Sequence, residues 1–160
     1  MSEGPRARDR RLRDALALLE REVDAWVATA GPSGVHLVPL SFAWDGEALL
    51  VSTPTASPTG RNLAAAGRVR VGIRPTRDVV MVEGASEPLA GAPAPAEADA
   101  FAARTGFDPR TLEGYGWYRI RPRRVQAWRE ADELAGRDLM RDGRWLAPYP
   151  GGPPTAGGRP

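Results

Sequence analysis

Residues 25–53, AWVATAGPSGVHLVPLSFAWDGEALLVST, contain three short apolar runs separated by two turn signals. The segment Gly31-Pro32-Ser33-Gly34 predicts the first turn. Asp45-Gly46 is a strong signal for the second turn, a two-residue hairpin. Runs rich in strand-forming residues occupy positions 25–30, 35–44 and 47–53. We therefore predict an antiparallel three-stranded meander, around which the other elements assemble.

Helices and further strands flank this meander. Upstream, leucines and a valine recur at spacings of four, three and four, which predicts an amphipathic helix containing Leu12, Leu16, Leu19 and Val23. Downstream, we predict strands over 68–74, 79–85 and 115–129 (bulged or at an edge near Pro122), helices over 58–66 and 96–105, and a hairpin over 139–146. Repeated βαβ units and a GxGxxG segment are missing from the sequence, which argues against a Rossmann fold. The pattern predicts a mainly β (α+β) fold, a small antiparallel barrel with peripheral helices.

The composition excludes several classes of catalytic chemistry. All 22 basic residues among the 160 are arginine, no residue is cysteine, and His36 is the single histidine. Without lysine and cysteine, Schiff-base enzymes and thiol nucleophiles are excluded. One histidine is too few for a His-rich metal site. The remaining catalytic groups are carboxylates, hydroxyls, arginines and whatever a bound cofactor supplies.

Length and charge are typical of one soluble globular domain. The net charge of +2 gives no indication of nucleic acid as a partner, and no apolar run approaches the length of a membrane span. An apolar signal core is also missing after the N-terminal arginines, so we expect a cytoplasmic protein. We expect a flexible N-terminal arm over residues 1–8, a single domain over 9–147 and a disordered Pro/Gly-rich tail over 148–160.

The segment Ser52–Asn62 carries the strongest chemical signal. Ser57 is a favoured N-cap, and Pro58 stands where proline is favoured, at the first helical position. Unpaired amide groups in the first turn of a helix attract anions. Gly60 would let a ligand approach the backbone, and Arg61 can bind a phosphate with two hydrogen bonds. These residue types fit a phosphate site and also fit an ordinary capped helix.

The sequence also carries an ordered set of segments: WVAT (26–29), VHLVPL (35–40), LLVST (49–53), GRNL (60–63), RVRVG (68–72), VMVEGASEPL (80–89) and YRIRPRRVQAW (118–128). Their order and spacing resemble the pyridoxamine 5'-phosphate oxidase-like family of flavin-binding split barrels, over about residues 10–130. The resemblance implies a split β-barrel that forms a homodimer, with a flavin bound across the interface. FMN is the commonest cofactor of this family, and one branch uses the deazaflavin coenzyme F-420.

The resemblance also assigns candidate cofactor-binding residues. Those at the positions that hold the cofactor phosphate are Ser52, Thr53, Thr59, Arg61 and Asn62. The residues on the strand that lines the ring are His36, Val38 and Leu40, and Trp128 falls near the ring or the substrate. Family members that bind FMN tightly often carry cations where this chain has Pro58 and Thr59. A hydrogen bond to a charged group contributes ~1.5–3 kcal/mol, so losing one weakens binding by roughly tenfold to a hundredfold.

For several residues the sequence allows both a structural and a functional interpretation. His36 shares a strand face with Val38 and Leu40, where a lone histidine is either a packed, hydrogen-bonded residue or a contact to the flavin. The arginines between 119 and 129 form either a solvated face or an entrance for anionic substrates. The five tryptophans are mostly core or dimer contacts, with Trp128 the one expected to serve the site.

The resulting hypothesis is an FMN-dependent oxidoreductase that transfers hydride to or from a small organic substrate. The cofactor supplies the chemistry, so no side chain is assigned as catalytic. The first alternative is a deazaflavin (F-420)-dependent reductase on the same fold. The second belongs to another class, a non-enzymatic flavin- or ligand-binding barrel.

Overall fold

The computed structural model describes residues 4–73 and 75–151. The strands are β1 (Asp24–Gly31), β2 (Gly34–Trp44), β3 (Leu49–Pro54), β4 (Arg68–Ile73), β5 (Val79–Pro88), β6 (Tyr115–Trp128), β7 (Asp138–Arg141) and β8 (Arg144–Trp145). The helices are α1 (Arg8–Arg21), α2 (Pro58–Ala64) and α3 (Pro95–Thr105). Six antiparallel strands close a barrel in the order β1-β2-β3-β6-β5-β4, and β7 and β8 extend the sheet beyond β6. The predicted mainly β barrel with peripheral helices is confirmed.

The meander forms as predicted, with one difference at its second turn. The β1–β2 hairpin closes at Gly31 and Gly34, and Gly34 has a φ of 100°, which favours glycine. The second turn was predicted to have two residues, yet β3 begins only at Leu49. The Asp45 carboxylate accepts hydrogen bonds from the amides of Glu47 and Ala48, at 2.8 and 2.7 Å. The loop is therefore longer, because a side chain takes the donors that a tight hairpin would use.

The core fills the barrel and is extended by two helices. Leu12 and Leu19 of α1 are fully buried, as the predicted stripe requires, and α1 packs against β2, β6 and β7. Val23, which was predicted to belong to this helix, lies beyond its end at Arg21. Leu63 of α2 is also fully buried, and α2 packs against β1 and β5. Burying an aliphatic side chain of this size contributes ~1.5–3 kcal/mol. The helices are therefore fixed by the apolar interior that they help to build.

A smaller apolar cluster attaches α3 to the outside of the barrel. Phe101 of α3 meets Trp117 of β6 edge-on, with ring centroids 5.1 Å apart, and Leu50 packs with both. Beside this cluster, the Arg119 guanidinium donates two hydrogen bonds to the Glu97 carboxylate, at 2.6 and 2.7 Å. The first arginine of the basic run therefore anchors a helix.

Strand β6 is bent by a bulge beside Pro122, as the sequence predicts. Gly84 pairs with Pro122 while Glu83 pairs with Arg124, so that one extra residue stands in β6. A Cβ built on Gly84 would lie 2.2 Å from the Arg121 carbonyl oxygen. Glycine is thus required at this close approach of two backbones.

The N-terminal segment makes a buried ionic contact. Arg6 donates to Glu133 through its backbone N–H and through two guanidinium nitrogens, at 2.7–2.9 Å. Asp14 also accepts from this guanidinium at 2.8 Å, and Asp78 lies 3.4 Å from it. Bonds from Arg6 lower the pKa of Glu133 from its ordinary 4.5 to about 2. Arg6, which lies in the predicted arm, is therefore bound to the domain by these contacts. The division into arm, domain and tail stays a prediction.

At the other terminus, the described residues of the predicted tail reach Gly151, and residues 152–160 lie outside the described part. Tyr149 packs on the core beside Trp145, with ring centroids 5.4 Å apart. No helix in the described part of the chain has the length and apolar composition needed to cross a membrane.

Gly84→Ala should destabilise the barrel by about 2 kcal/mol or more, because the new methyl group meets a backbone carbonyl that cannot move aside cheaply. Gly91→Ala is the matched control, since nothing lies within 4 Å of a Cβ at that position. Urea unfolding of the two variants measures the difference. Equal stability of both variants would contradict the role given to Gly84.

Glu133→Gln should make the free energy of unfolding less dependent on pH in acid. The pKa of Glu133 is lowered on folding, so its contribution is present above about pH 4.5 and is lost as the pH falls towards about 2. With ~1.4 kcal/mol for each pKa unit, the contribution is on the order of 3 kcal/mol. Unfolding free energies between pH 7 and pH 2 test this, with the exposed Glu130→Gln as the control. A pH profile of Glu133→Gln that matches the parent's would refute the assignment.

Candidate functional site

Half of β2 has no strand on one of its edges among the described residues. Strand β2 pairs with β1 along its whole length, but with β3 only from Phe42 to Trp44. The Phe42 amide donates to the Val23 carbonyl beside β1 at 2.8 Å. The peptide group of Phe42 therefore points towards β1. In a regular strand, the peptide groups of the residues that alternate with Phe42 point to the opposite edge. These residues are Val35, Leu37, Pro39 and Ser41. Proline has no N–H and is tolerated at such an open edge.

The three predicted ring-lining residues of β2 share one face and are half-buried. His36, Val38 and Leu40 stand opposite Thr29, Val27 and Ala25 of β1, whose side chains point into the barrel. The His36 Nε2 atom lies 3.1 Å from the Ser33 Oγ atom across the hairpin turn. The structure therefore shows His36 as a hydrogen-bonded residue beside the open edge, and its contact with a ligand stays a prediction.

Ser52 and Thr53 point to opposite faces of β3. Ser52 lies opposite Trp117, on the face covered by α3, and its Oγ donates to the Gly116 carbonyl at 2.8 Å. Thr53 shares the other face with Val51, which belongs to the barrel core. Both side chains are buried. The fold therefore does not bring these two hydroxyls together as a pair.

Helix α2 begins as predicted, but Gly60 has a packing role and not the predicted role of admitting a ligand. The Ser57 Oγ accepts from the Gly60 amide at 2.9 Å, and Pro58 occupies the first turn. A Cβ at Gly60 would lie 2.1 Å from the Pro54 carbonyl oxygen. Gly60 therefore lets α2 pack on the end of β3, and the expectation that it admits a ligand is corrected. Thr59 in the same turn is buried.

Asn62 joins α2 to the meander. Its Nδ2 donates to the Thr29 Oγ1 at 3.1 Å, and both residues are buried. Gly31 leaves room for this amide, since a Cβ there would lie 2.0 Å from the Asn62 Oδ1. Thr29 is the direct cross-strand neighbour of His36. This contact brings the predicted phosphate segment and the predicted ring strand to the same end of the barrel.

Arg61 is the one cation of α2, and it is exposed. Its Nη1 donates to the Ala56 carbonyl, so the guanidinium folds over the N-terminus of its own helix. The other guanidinium nitrogens stay available to solvent or to an anion. Among the predicted phosphate residues, Arg61 is thus the charged group that a ligand can reach.

Trp128 lies apart from these residues within one chain. It is half-buried at the end of β6, opposite Val79, beyond the part of β6 that pairs with β3. The Arg137 guanidinium carbon stands 5.3 Å from its ring centroid, a distance typical of cation–π contacts. Strand pairing does not place Trp128 beside His36 or Arg61, and its contact with a cofactor stays a prediction.

Most arginines of the basic run are held in ion pairs. Arg119, Arg121 and Arg129 face Glu97, Glu87 and Asp78, respectively. Arg124 and Arg141 share Asp138. Burial raises the pKa of Asp138, but the bonds that it accepts from Arg124, Arg141 and Gln126 together outweigh burial and lower it. These contacts favour a structural role for much of the run over an open entrance for substrates.

An apolar patch on the outer face of the meander was not predicted. Trp26, Val35 and Leu37 are 54%, 78% and 60% exposed. Trp26 stands opposite Pro39, and Leu37 stands beside Ala28 on the same face. The signal was present in the sequence, because the alternation that points His36 inward also points Val35 and Leu37 outward.

Comparison with solved structures places this fold among known proteins. An F420 reductase is 25% identical, with a TM-score of 0.56, over 66% of this chain and 90% of that one. A FAD-binding protein from Mesorhizobium loti is 18% identical, with a TM-score of 0.58, over 71% and 88%. General Stress Protein 26 from Bacillus anthracis is 16% identical, with a TM-score of 0.59, over 72% and 92%. No curated relative matches the sequence.

The family model for pyridoxamine 5'-phosphate oxidase matches residues 13–129, well over half of the chain. The match spans the complete barrel, from α1 to β6. It agrees with the order of segments that the sequence presents. The chain belongs to the pyridoxamine 5'-phosphate oxidase family.

Proposed function

We propose that the protein is a homodimeric flavin-dependent oxidoreductase, with FMN as the expected cofactor and a small organic molecule as the substrate. The observation that carries the proposal is the open edge of β2 beside His36. Peptide groups on this edge can donate to and accept from the polar rim of a flat ring. A bound flavin would supply hydride transfer, and the protein would bind it, orient it and exclude water. The cytoplasmic location stays a prediction.

Few polar groups around α2 remain free to hold a phosphate. The Gly60 amide, the Ser52 hydroxyl and the Asn62 amide already have partners inside the chain. Arg61 is left to hold a phosphate, because Thr59 in the same turn is buried. FMN binding would therefore depend on one charged side chain, and we expect it to be weak.

A deazaflavin (F-420)-dependent reductase is the second candidate. It is favoured by Pro58 and Thr59, which remove cations where tight FMN binders often have them. The 25% identity with an F420 reductase supports the same possibility. Both candidates transfer hydride at a ring beside β2, so they differ in the cofactor and not in the fold.

The second copy in the proposed homodimer would cover the apolar patch of Trp26, Val35 and Leu37. These side chains lie next to one another on two paired strands, and such contiguous exposed patches mark interaction surfaces. A patch that meets its own copy around a two-fold axis forms a closed dimer. Trp128 of the second chain could then approach the ring.

Arg61→Ala should weaken binding of FMN or F-420 about tenfold, because the charged contact to the phosphate is lost. Quenching of the cofactor's fluorescence on titration with protein measures the dissociation constant. Arg13→Ala, which also removes one exposed charge, should bind as the parent does. Unchanged affinity in Arg61→Ala would remove the phosphate assignment.

The same titration separates the candidates. Saturation by FMN supports the leading proposal, and saturation by F-420 alone supports the second candidate. If neither cofactor binds at high micromolar concentration, the oxidoreductase proposal is wrong, and the non-enzymatic barrel takes its place.

Trp26→Glu should convert the dimer into a monomer, since a buried charge without a partner is costly at an interface. Sedimentation velocity at several protein concentrations measures the mass. Leu134→Glu is the control, because Leu134 is also exposed but lies outside the patch. A parent protein that sediments as a monomer would contradict the dimer.

A further inference from the structure

A groove rich in arginine lies on the outer face of the barrel, across β4, β5 and β6. We call it the arginine groove. Its volume is about 430 Å³, within the range of small-molecule sites. Strands β4, β5 and β6 and the β7–β8 turn line it through Arg68, Glu83–Ala85, Arg123, Arg124, Arg141 and Asp142.

The bulge in β6 gives the groove two arginines in succession. Side chains in a regular strand alternate between faces, so that only one of Arg123 and Arg124 would reach the outer face. The extra residue opposite Glu83 and Gly84 interrupts this alternation. Arg123 and Arg124 therefore line the groove together, in front of a buried Val125.

The groove has more positive charge than its carboxylates neutralise. Its lining contains four arginines against Glu83 and Asp142. Glu83 accepts from Arg70 at 2.8 Å. Asp138, which adjoins the groove, is shared by Arg124 and Arg141 at 3.0 and 2.6 Å.

Arg68 and Arg123 keep their charge unpaired. Within residues 4–73 and 75–151, neither makes an ion pair. Both side chains are exposed. A guanidinium binds phosphate or carboxylate oxygens with two parallel hydrogen bonds, and two such groups on one groove favour a ligand with more than one negative charge.

We propose that the arginine groove binds a small polyanion of the diphosphate type through Arg68 and Arg123. The walls are paired strands and a tight turn, in which Asp142 and Gly143 have φ values of 51° and 75°. The backbone that carries the cations is therefore fixed before the ligand arrives. This site shares no residue with the predicted cofactor site, so it stands independently of the proposed function.

Calorimetric titration of the purified protein with pyrophosphate at low salt tests the proposal. The parent should show saturable binding, and Arg68→Ala and Arg123→Ala should each weaken it about tenfold. Asp142→Asn should strengthen it, since it removes a negative charge from the groove and asparagine tolerates the positive φ. Circular dichroism checks that each variant is folded.

Two controls separate this site from general surface charge. Arg13→Ala on α1 and Arg77→Ala in the turn before β5, which each remove one exposed charge, should bind pyrophosphate as the parent does. Absence of saturable binding up to 10 mM, an order-of-magnitude limit for a weak anion site, would overturn the proposal. An equal loss of affinity in Arg13→Ala or Arg77→Ala would do the same. Loss of flavin binding in Arg61→Ala would leave it intact.

Discussion

The barrel depends on β6 forming hydrogen-bond ladders along both of its edges. This strand of 14 residues pairs with β3 near its start and with β5 along most of its length. The extra residue opposite Gly84 adds the local bend and twist that a strand shared by two neighbours in a closed barrel needs. Because a Cβ at position 84 would meet the Arg121 carbonyl, closure relies on glycine there. The core that holds α1 and α2 exists only once this ladder is complete.

The outer face of the sheet carries two surfaces of different chemistry. On β1 and β2 the exposed side chains are mostly apolar, with Trp26 and Leu37 as cross-strand neighbours of Pro39 and Ala28. On β4 to β6 they are mostly arginines, and the bulge places two of them side by side. Apolar area favours contact with another protein surface, whereas unpaired guanidinium groups favour small anions. One sheet therefore presents both chemistries, and the two surfaces meet where Val35 and Arg68 line one pocket.

In the predicted cofactor site, polar side chains of α2 and β3 already have hydrogen-bond partners within the chain, as Ser52 and Asn62 demonstrate. What remains for a ligand is the backbone edge of β2 and the charge of Arg61. In the proposed complex, the ring would meet peptide groups and the phosphate would meet one cation, so the identity of the cofactor would depend on small energy differences. The family is shown by the match over residues 13–129, and the cofactor stays a proposal.

The sequence by itself determined the meander, the leucine stripe of α1, the cap at Ser57 and the bulge near Pro122. Each depends on residues a few positions apart, where alternation and backbone preference act directly. Only the tertiary structure decided that Gly60 serves packing against Pro54, that Ser52 and Thr53 face apart, and that Arg61 alone stays available at α2. It also joined Arg6 to Glu133, 127 positions later. Such contacts depend on which surfaces meet when the barrel closes, and the local sequence pattern does not indicate a partner so distant along the chain.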